Sequence, residues 1–254
     1  MTRTSTKTKH PIDLSTVPLG DRYVATLTNR INGSNGETKG ERTYAKLKLA
    51  TFACLSKANL NEVTIASITA EAKVAAGTFY IHFAGTREII LEVFREFAEV
   101  DIEPALPEPT LSSGLFVEIK KAFVQIVRGF RERRFFYRAI FQFVGQDTDA
   151  SGIWLEGSKR WAEALSAFAA RHGKTSLPYD LNALLGHAAT ASVDELMKRI
   201  YIQELYGRDF VETDANDELV AEFLAFMRYR MLLGTDPDIA PRHLDVLDQG
   251  FVKP

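Results

Sequence analysis

The chain has 254 residues, 46% of them hydrophobic and 25% charged, with a formal net charge of −2; this is the composition of a globular chain that can bury a core without disulfides. The single cysteine, Cys54, excludes an intramolecular disulfide framework and a Cys-rich zinc site, and fits a reducing, cytoplasmic setting. No apolar run approaches the roughly 18 residues of a spanning helix, and residues 1–30 lack an apolar block ending in a small-residue cleavage site, so neither a membrane span nor a secretory signal is expected.

The near-neutral total conceals an asymmetry. Through Arg95 there are 13 Lys+Arg against 8 Asp+Glu, a net of +5, whereas residues 96–254 carry 18 against 25, a net of −7. A basic third followed by an acidic remainder suggests two modules, the first suited to a polyanion.

Residues 1–40 are rich in Thr, Ser, Asn, Gly and Lys and are expected to form a flexible basic arm, with a short ordered patch over 17–27. Arg3, Lys7, Lys9, Arg22, Arg30 and Lys39 against Asp13, Asp21 and Glu37 give this arm a net of +3. Such an arm either follows phosphates or a minor groove, adding affinity with little sequence information, or is an inert tail. From Glu41 onward apolar residues recur at helical spacing and alternating strand patterns are nearly absent, which predicts an all-α protein.

The spacing predicts helices over 42–58, 64–72, 75–82, 86–103, 113–132, 134–145, 151–172, 179–206 and 214–233. Thr64 and Thr86 are expected as N-caps and Asn59 as a left-handed helix end. Pro104, Pro107 and Pro109 forbid continuation of the fourth helix, and Gly173 and Gly234 stop two later ones. The divisions that follow are an arm at 1–40, a small helical domain at 41–95 and a larger helical domain at 96–254.

The informative segment runs from Thr64 to Phe83: two short helices joined by a tight turn. Ile65, Ile68 and Ala72 make one apolar face, met by Val74 and Phe79 of the second helix, while Ala45, Leu49, Phe52 and Ala53 form the stripe of a bracing helix before them. That is helix-turn-helix arithmetic, in which the second helix projects short side chains into a major groove about 12 Å wide.

This segment resembles the TetR family of transcriptional regulators in Ala72, Val74, Gly77-Thr78-Phe79-Tyr80, His82-Phe83 and the following Arg87-Glu88-Ile89-Ile90. The likeness covers about residues 42–95 and implies an N-terminal three-helix helix-turn-helix domain followed by a helical ligand-binding and dimerisation domain. Three departures stand out. Lys73 occupies the family's turn glycine and must either take the turn geometry at some backbone cost or adjust it; Ala75-Ala76 replace a polar pair; and the loop from Phe83 to Arg87 is one residue longer.

The resemblance implies that Thr78 and Tyr80 contact phosphates or base edges, that His82 approaches the backbone, that Thr64 offers its helix N-terminus to a phosphate and that Arg87 adds a charge-assisted contact. Ala75 and Ala76 are expected to touch thymine methyls. Phe79 and Phe83 are expected in the core. In the remaining chain the resemblance implies an inducer pocket, for which Phe123, Gln125, Phe141, Gln142, Trp161, Asn182, His187 and Thr190 are the candidates. Its aromatic surroundings favour an apolar or aromatic ligand of unknown identity. Residues 179–206 and 214–233 carry wide apolar stripes, including Leu181, Leu184, Leu185, Ala188, Ala191, Leu196 and Ile200, then Val220, Phe223, Leu224, Met227 and Met231. They are expected to form a four-helix homodimer interface and thereby specify a palindromic double-stranded operator.

The expected function is a DNA-binding transcriptional regulator, a repressor released by its ligand, with the fourth helix, 86–103, carrying the change. The alternative is a ligand-independent regulatory or architectural factor whose C-terminal domain binds a protein. An enzyme is not expected: Cys54 lies in mid-helix as a small hydrophobe, and the five histidines show no metal-ligand spacing. No metal or cofactor is expected.

Overall fold

The computed structural model describes residues 11–14, 17–18, 21–101, 114–173 and 178–238. The expectations placed on Arg3, Lys7 and Lys9, on Pro104, Pro107 and Pro109, and on residues 239–254 lie outside them. Among the described residues every regular element is helical. The chain divides into two compact units, one of residues 1–102 with 135–153 and one of residues 103–134 with 154–254.

The first unit holds α1 (Arg22–Asn32), α2 (Lys39–Leu55), a 3₁₀ turn at Leu60–Glu62, α3 (Ile65–Ala72), α4 (Ala76–His82), α5 (Thr86–Asp101), nearly all of α7 (Arg134–Val144) and the start of α8 (Thr148–His172). The helix α1 overlaps the short ordered patch expected over 17–27 and corrects the expectation of a flexible arm as far as Asn32. Tyr23, Ala25 and Leu27 are buried, and the helix packs on α2 and α5. Its first amides, of Arg22 and Tyr23, donate to the Asp101 carboxylate at 3.2 and 3.0 Å, so the far end of α5 caps it. Gly33, at φ 73°, closes its other end in the left-handed region. Asn29 also exchanges hydrogen bonds with the backbone of Ile12, at 2.7 and 2.9 Å.

The helix α2 starts three residues before the predicted position because Thr38 and Glu41 form a capping box: the Glu41 amide donates to Thr38 Oγ1 and the Thr38 amide to Glu41 Oε2. Asn59 is extended, at φ −69°, and its amide donates to Glu62 at the 3₁₀ turn, so it does not take the left-handed form expected of it. Thr86 is the first residue of α5, one position past the expected cap. Cys54 is buried in α2, and burial pushes its thiol up.

Tyr23, Phe52, Phe97 and Phe136 form the aromatic centre of this unit, with Phe136 4.4 Å from the Phe52 ring and 4.8 Å from the Phe97 ring. Phe136 belongs to α7, so the core of the reading head does not stop at residue 95. Beside it lies a charged lattice. Lys48 is fully buried, with Nζ 2.6 Å from Glu96 and 4.4 Å from the Tyr44 ring, and Glu96 also receives Arg30 at 3.1 Å. Burial pulls the Lys48 amine down while Glu96 holds it charged.

The second unit holds α6 (Leu115–Glu132), α8 from Trp154 on, α9 (Tyr179–Met197), a π turn at Lys198–Ile202, α10 (Arg208–Glu212) and α11 (Asp214–Leu233). The predicted helix 179–206 therefore ends early. After the π turn, Glu204 at φ 53° and Gly207 at φ 85° break it, and α10 follows.

On α6 the heptad-spaced Phe116, Phe123 and Phe130, with Ile119 and Val127, are buried against α11. Leu219, Val220, Ala221, Leu224, Ala225, Leu232 and Leu233 of α11 are buried within the same chain. Much of the stripe assigned to dimerisation on this helix is thus used internally, which corrects that assignment for Val220 and Leu224. The helix α9 differs, since Leu181 and Leu184 are 51% and 63% exposed and Ala188 and Ala191 lie exposed beside them, whereas Ile200 in the following π turn is buried, which corrects its assignment to the dimer surface.

A close approach fixes α8 against α9. Ser166 Oγ donates to the Asn182 carbonyl and Asn182 Nδ2 to the Ser166 carbonyl, both at 2.9 Å. A Cβ built on Gly186 would stand 2.2 Å from the Ala162 carbonyl oxygen. Gly186→Ala is therefore expected to cost about 1–3 kcal/mol through backbone displacement, read as a lower urea midpoint. An unchanged midpoint would show that α8 and α9 separate freely.

Candidate nucleic-acid interface

Thr64 caps α3, as expected: the Ser67 amide donates to its Oγ1 at 3.1 Å and its own amide donates to Ser67 Oγ at 2.9 Å. Ile68 and Thr69 face inward, and α3 ends at Lys73, which sits in the left-handed region at φ 55°, ψ 47°. The Lys73 and Val74 amides return to the Ala70 and Thr69 carbonyls, closing the turn that aims α4. A side chain at this position carries a steric penalty that glycine lacks. Lys73→Gly is accordingly expected to stabilise the head by about 1 kcal/mol, measured by chemical denaturation; a destabilised variant would mean that the lysine side chain contributes more than its backbone costs.

The helix α4 is anchored by Phe79, fully buried, and Phe83 just past its end, whose ring stacks 4.8 Å from Tyr44 of α2. Everything else on it faces out or lies at the rim. Ala75, Ala76 and Gly77 are exposed, Tyr80 is 61% exposed, Ile81 is 78% exposed, and Thr78 and His82 are half-buried. The structure thus brings Ala75, Ala76, Thr78, Tyr80 and His82 together on one seven-residue helix and its cap position, with Thr64 at the head of α3.

Ile81 was missed in the sequence, although its place between Tyr80 and His82, off the Phe79 face, marks it as outward-facing. Tyr44 was missed as well. Its hydroxyl donates to Glu92 at 3.2 Å and its ring lies 5.8 Å from that of His82, so it braces α4 against α2 and α5. Burial and the nearby Glu92 push its phenol up to about 12.

Arg87 is engaged differently from what its motif implies. Its Nε and Nη2 donate to the Asp147 carboxylate at 2.6 and 3.1 Å, and Nη2 also donates to Asp149 at 2.6 Å. The guanidinium holds the Asp147 carboxyl below the usual carboxylate range. A phosphate would have to compete with two carboxylates for it.

The residues expected to line a ligand site are dispersed. Phe141 and Gln142 belong to the first unit and are half-buried, whereas Phe123, Gln125, Trp161, Asn182, His187 and Thr190 belong to the second. Gln125 and His187 are exposed, Thr190 is buried and donates to the Gly186 carbonyl, and Asn182 is committed to Ser166. Phe123 is buried beneath Arg228. Among the described residues no three His, Cys, Asp or Glu side chains are placed to hold a metal ion. None of the described helices is long and apolar enough to cross a membrane.

Comparison with known proteins returns no match among curated sequences. Among solved structures, a candidate transcriptional regulator from Pseudomonas aeruginosa PAO1 aligns over 77% of this chain and 97% of its own, at 14% identity and a TM-score of 0.47. Residues 49–93, from the middle of α2 through the helix-turn-helix into α5, match the family model of the bacterial regulatory proteins of the tetR family. With the anchored α4 and the left-handed turn inside that span, this segment is a helix-turn-helix of the kind the tetR-family model describes, and it supports a DNA-binding transcriptional regulator.

Proposed function

We propose that this protein is a homodimeric repressor that is released from a palindromic operator by a small apolar or aromatic ligand bound in residues 96–254. The observation that carries the DNA-reading part is the presentation of α4: Phe79 is sunk in the core while Ala75, Ala76, Gly77, Tyr80 and Ile81 point outward. Tyr80 and Thr78 supply hydroxyls for phosphates or base edges, His82 and Thr64 approach the backbone, and Arg87 joins them once it leaves Asp147 and Asp149.

The sequence of α4, Ala-Gly-Thr-Phe-Tyr-Ile-His, contains no Arg, Lys, Asn or Gln. It therefore lacks the side chains that make bidentate contacts to guanine or adenine, and small apolar groups against thymine methyls are what it offers instead. Replacing thymine by uracil at the contacted steps of the operator is expected to weaken binding about fourfold per methyl, from about 0.8 kcal/mol per buried methyl. Equal affinity for the uracil-containing operator would remove methyl contacts from the account.

The exposed Leu181, Leu184, Ala188 and Ala191 of α9 supply the dimer surface, with the half-buried Phe223, Met227 and Met231 of α11 as its second contributor. A two-fold dimer sets recognition helices about 34–36 Å apart. A monomer at micromolar concentration in sedimentation would defeat this. Ligand binding acts through α5 on that spacing, and only a ligand with different affinity for the two spacings does so.

A further inference from the structure

Among the described residues, the charges buried in the second unit have ion-pair partners, with one exception. Arg131 holds Asp214 at 2.6 Å and Asp217 at 2.8 Å, and the buried Glu222 receives Lys120. Arg228 of α11 is also buried, at 7% exposure, among Leu224, Ala225 and Leu232 of its own helix. It uses one donor: an Nη donates to the Ala189 carbonyl of α9 at 3.0 Å. Its guanidinium lies 5.4 Å from the centroid of the Phe123 ring of α6, and its Nε is buried without a partner. The countercharge acting on it is Asp194 of α9, which is a weak one: burial pushes that carboxyl up to about 6, and burial pulls Arg228 down to about 10.

A guanidinium carries five donors in a planar fork, and in an apolar interior an unmatched one is costly. The group whose two oxygens match that fork is a carboxylate, and the face of Phe123 beside it suits an apolar or aromatic body. We infer that Arg228 anchors the carboxylate of a small apolar acid that binds between α6, α9 and α11 with its body against Phe123. The inference rests on the ligand-responsive reading above and narrows its ligand from any apolar molecule to an organic acid. Asp194 is the resident countercharge that such an acid supplants.

The test uses the full chain, with benzoate, phenylacetate, hexanoate and decanoate as probes beside their primary amides. Calorimetric titration and thermal unfolding are the readouts. An acid is expected to raise Tm by about 5 °C at about a hundred times its Kd, with its amide at least about tenfold weaker. Arg228→Met is expected to lower acid affinity about 10–100-fold while melting at or above the parent, because an apolar side chain replaces a poorly matched buried charge. Arg228→Lys, which keeps the charge and loses the fork, is expected to fall between the two. Asp194→Asn is expected to tighten acid binding, an effect opposite in sign that general damage to the site does not produce.

The inference is overturned if amides bind as tightly as acids, if Arg228→Met keeps the acid affinity, or if no acid in the series shifts Tm. If an acid binds through Arg228 yet leaves the operator complex intact, the anchor stands and ligand-induced release falls.

Discussion

Replacing Phe79 with alanine is expected to destabilise the reading head by about 3–5 kcal/mol and to abolish specific DNA binding. The ring is fully buried, 5.8 Å from Phe83 and 5.7 Å from Tyr80. The helix α4 has seven residues and no side-chain cap at Ala75, far short of the roughly 12–15 residues an isolated helix needs in water. Its helicity therefore depends on what it packs against, and Phe79 is its one buried residue. Tyr80→Ala is the matched control: an exposed side chain leaves stability within about 0.5 kcal/mol, while removal of its contacts lowers operator affinity about tenfold. Urea denaturation and DNA titration on both variants separate the roles. A Phe79→Ala protein with the parent midpoint would show that α4 is held by something else.

Asp217→Ala is expected to cost the second unit about 3–5 kcal/mol. Asp217 is fully buried at the start of α11, accepting from Arg131 Nε at 2.8 Å and from the Tyr201 hydroxyl at 3.0 Å. Its removal leaves Arg131 with the exposed Asp214 alone and strands the Tyr201 hydroxyl inside. The carboxylate ties α6, the π turn and α11 together, so the loss falls on the three elements that build this core. Adding Arg131→Met to Asp217→Ala is expected to recover part of the stability, since the orphaned charge is then gone. Thermal and urea unfolding of the two variants measure this; a double variant no more stable than the single one would contradict it.

Patterns local in sequence were the legible ones. The helix-turn-helix, the Thr64 cap and the Gly234 helix end each rest on neighbours within a few residues, and the structure has them where the spacing puts them, while Lys73 takes the left-handed form, one of the two outcomes the resemblance left open. The helix α1 was legible only as a short ordered patch over 17–27, because its N-terminal amides are received by Asp101, 78 and 79 residues away, and its buried face is completed by α2 and α5. Within the segment itself, Gly33 and the Tyr23, Leu27 spacing were the only signals, set among Thr, Asn and Gly. Arg87 reads locally as a phosphate contact, yet its partners Asp147 and Asp149 lie 60 and 62 residues further on.

The stripe on α11 had the same ambiguity. An apolar helix face does not state whether its cover comes from its own chain, and here α6 supplies much of it. The polar ligand candidates follow from the rule of polar residues on apolar surfaces, which also selects Asn182 and Thr190, satisfied by Ser166 and Gly186. Arg228 escaped that rule because an arginine in a late helix reads as a solvated charge.

Selection of DNA bound by the full-length chain from a random duplex pool tests the central claim most directly. The account predicts an enriched inverted repeat, with half-sites one helical turn apart and thymines at the steps facing Ala75, Ala76 and Ile81. A pool without enrichment, or an enriched site lacking two-fold symmetry, would contradict it.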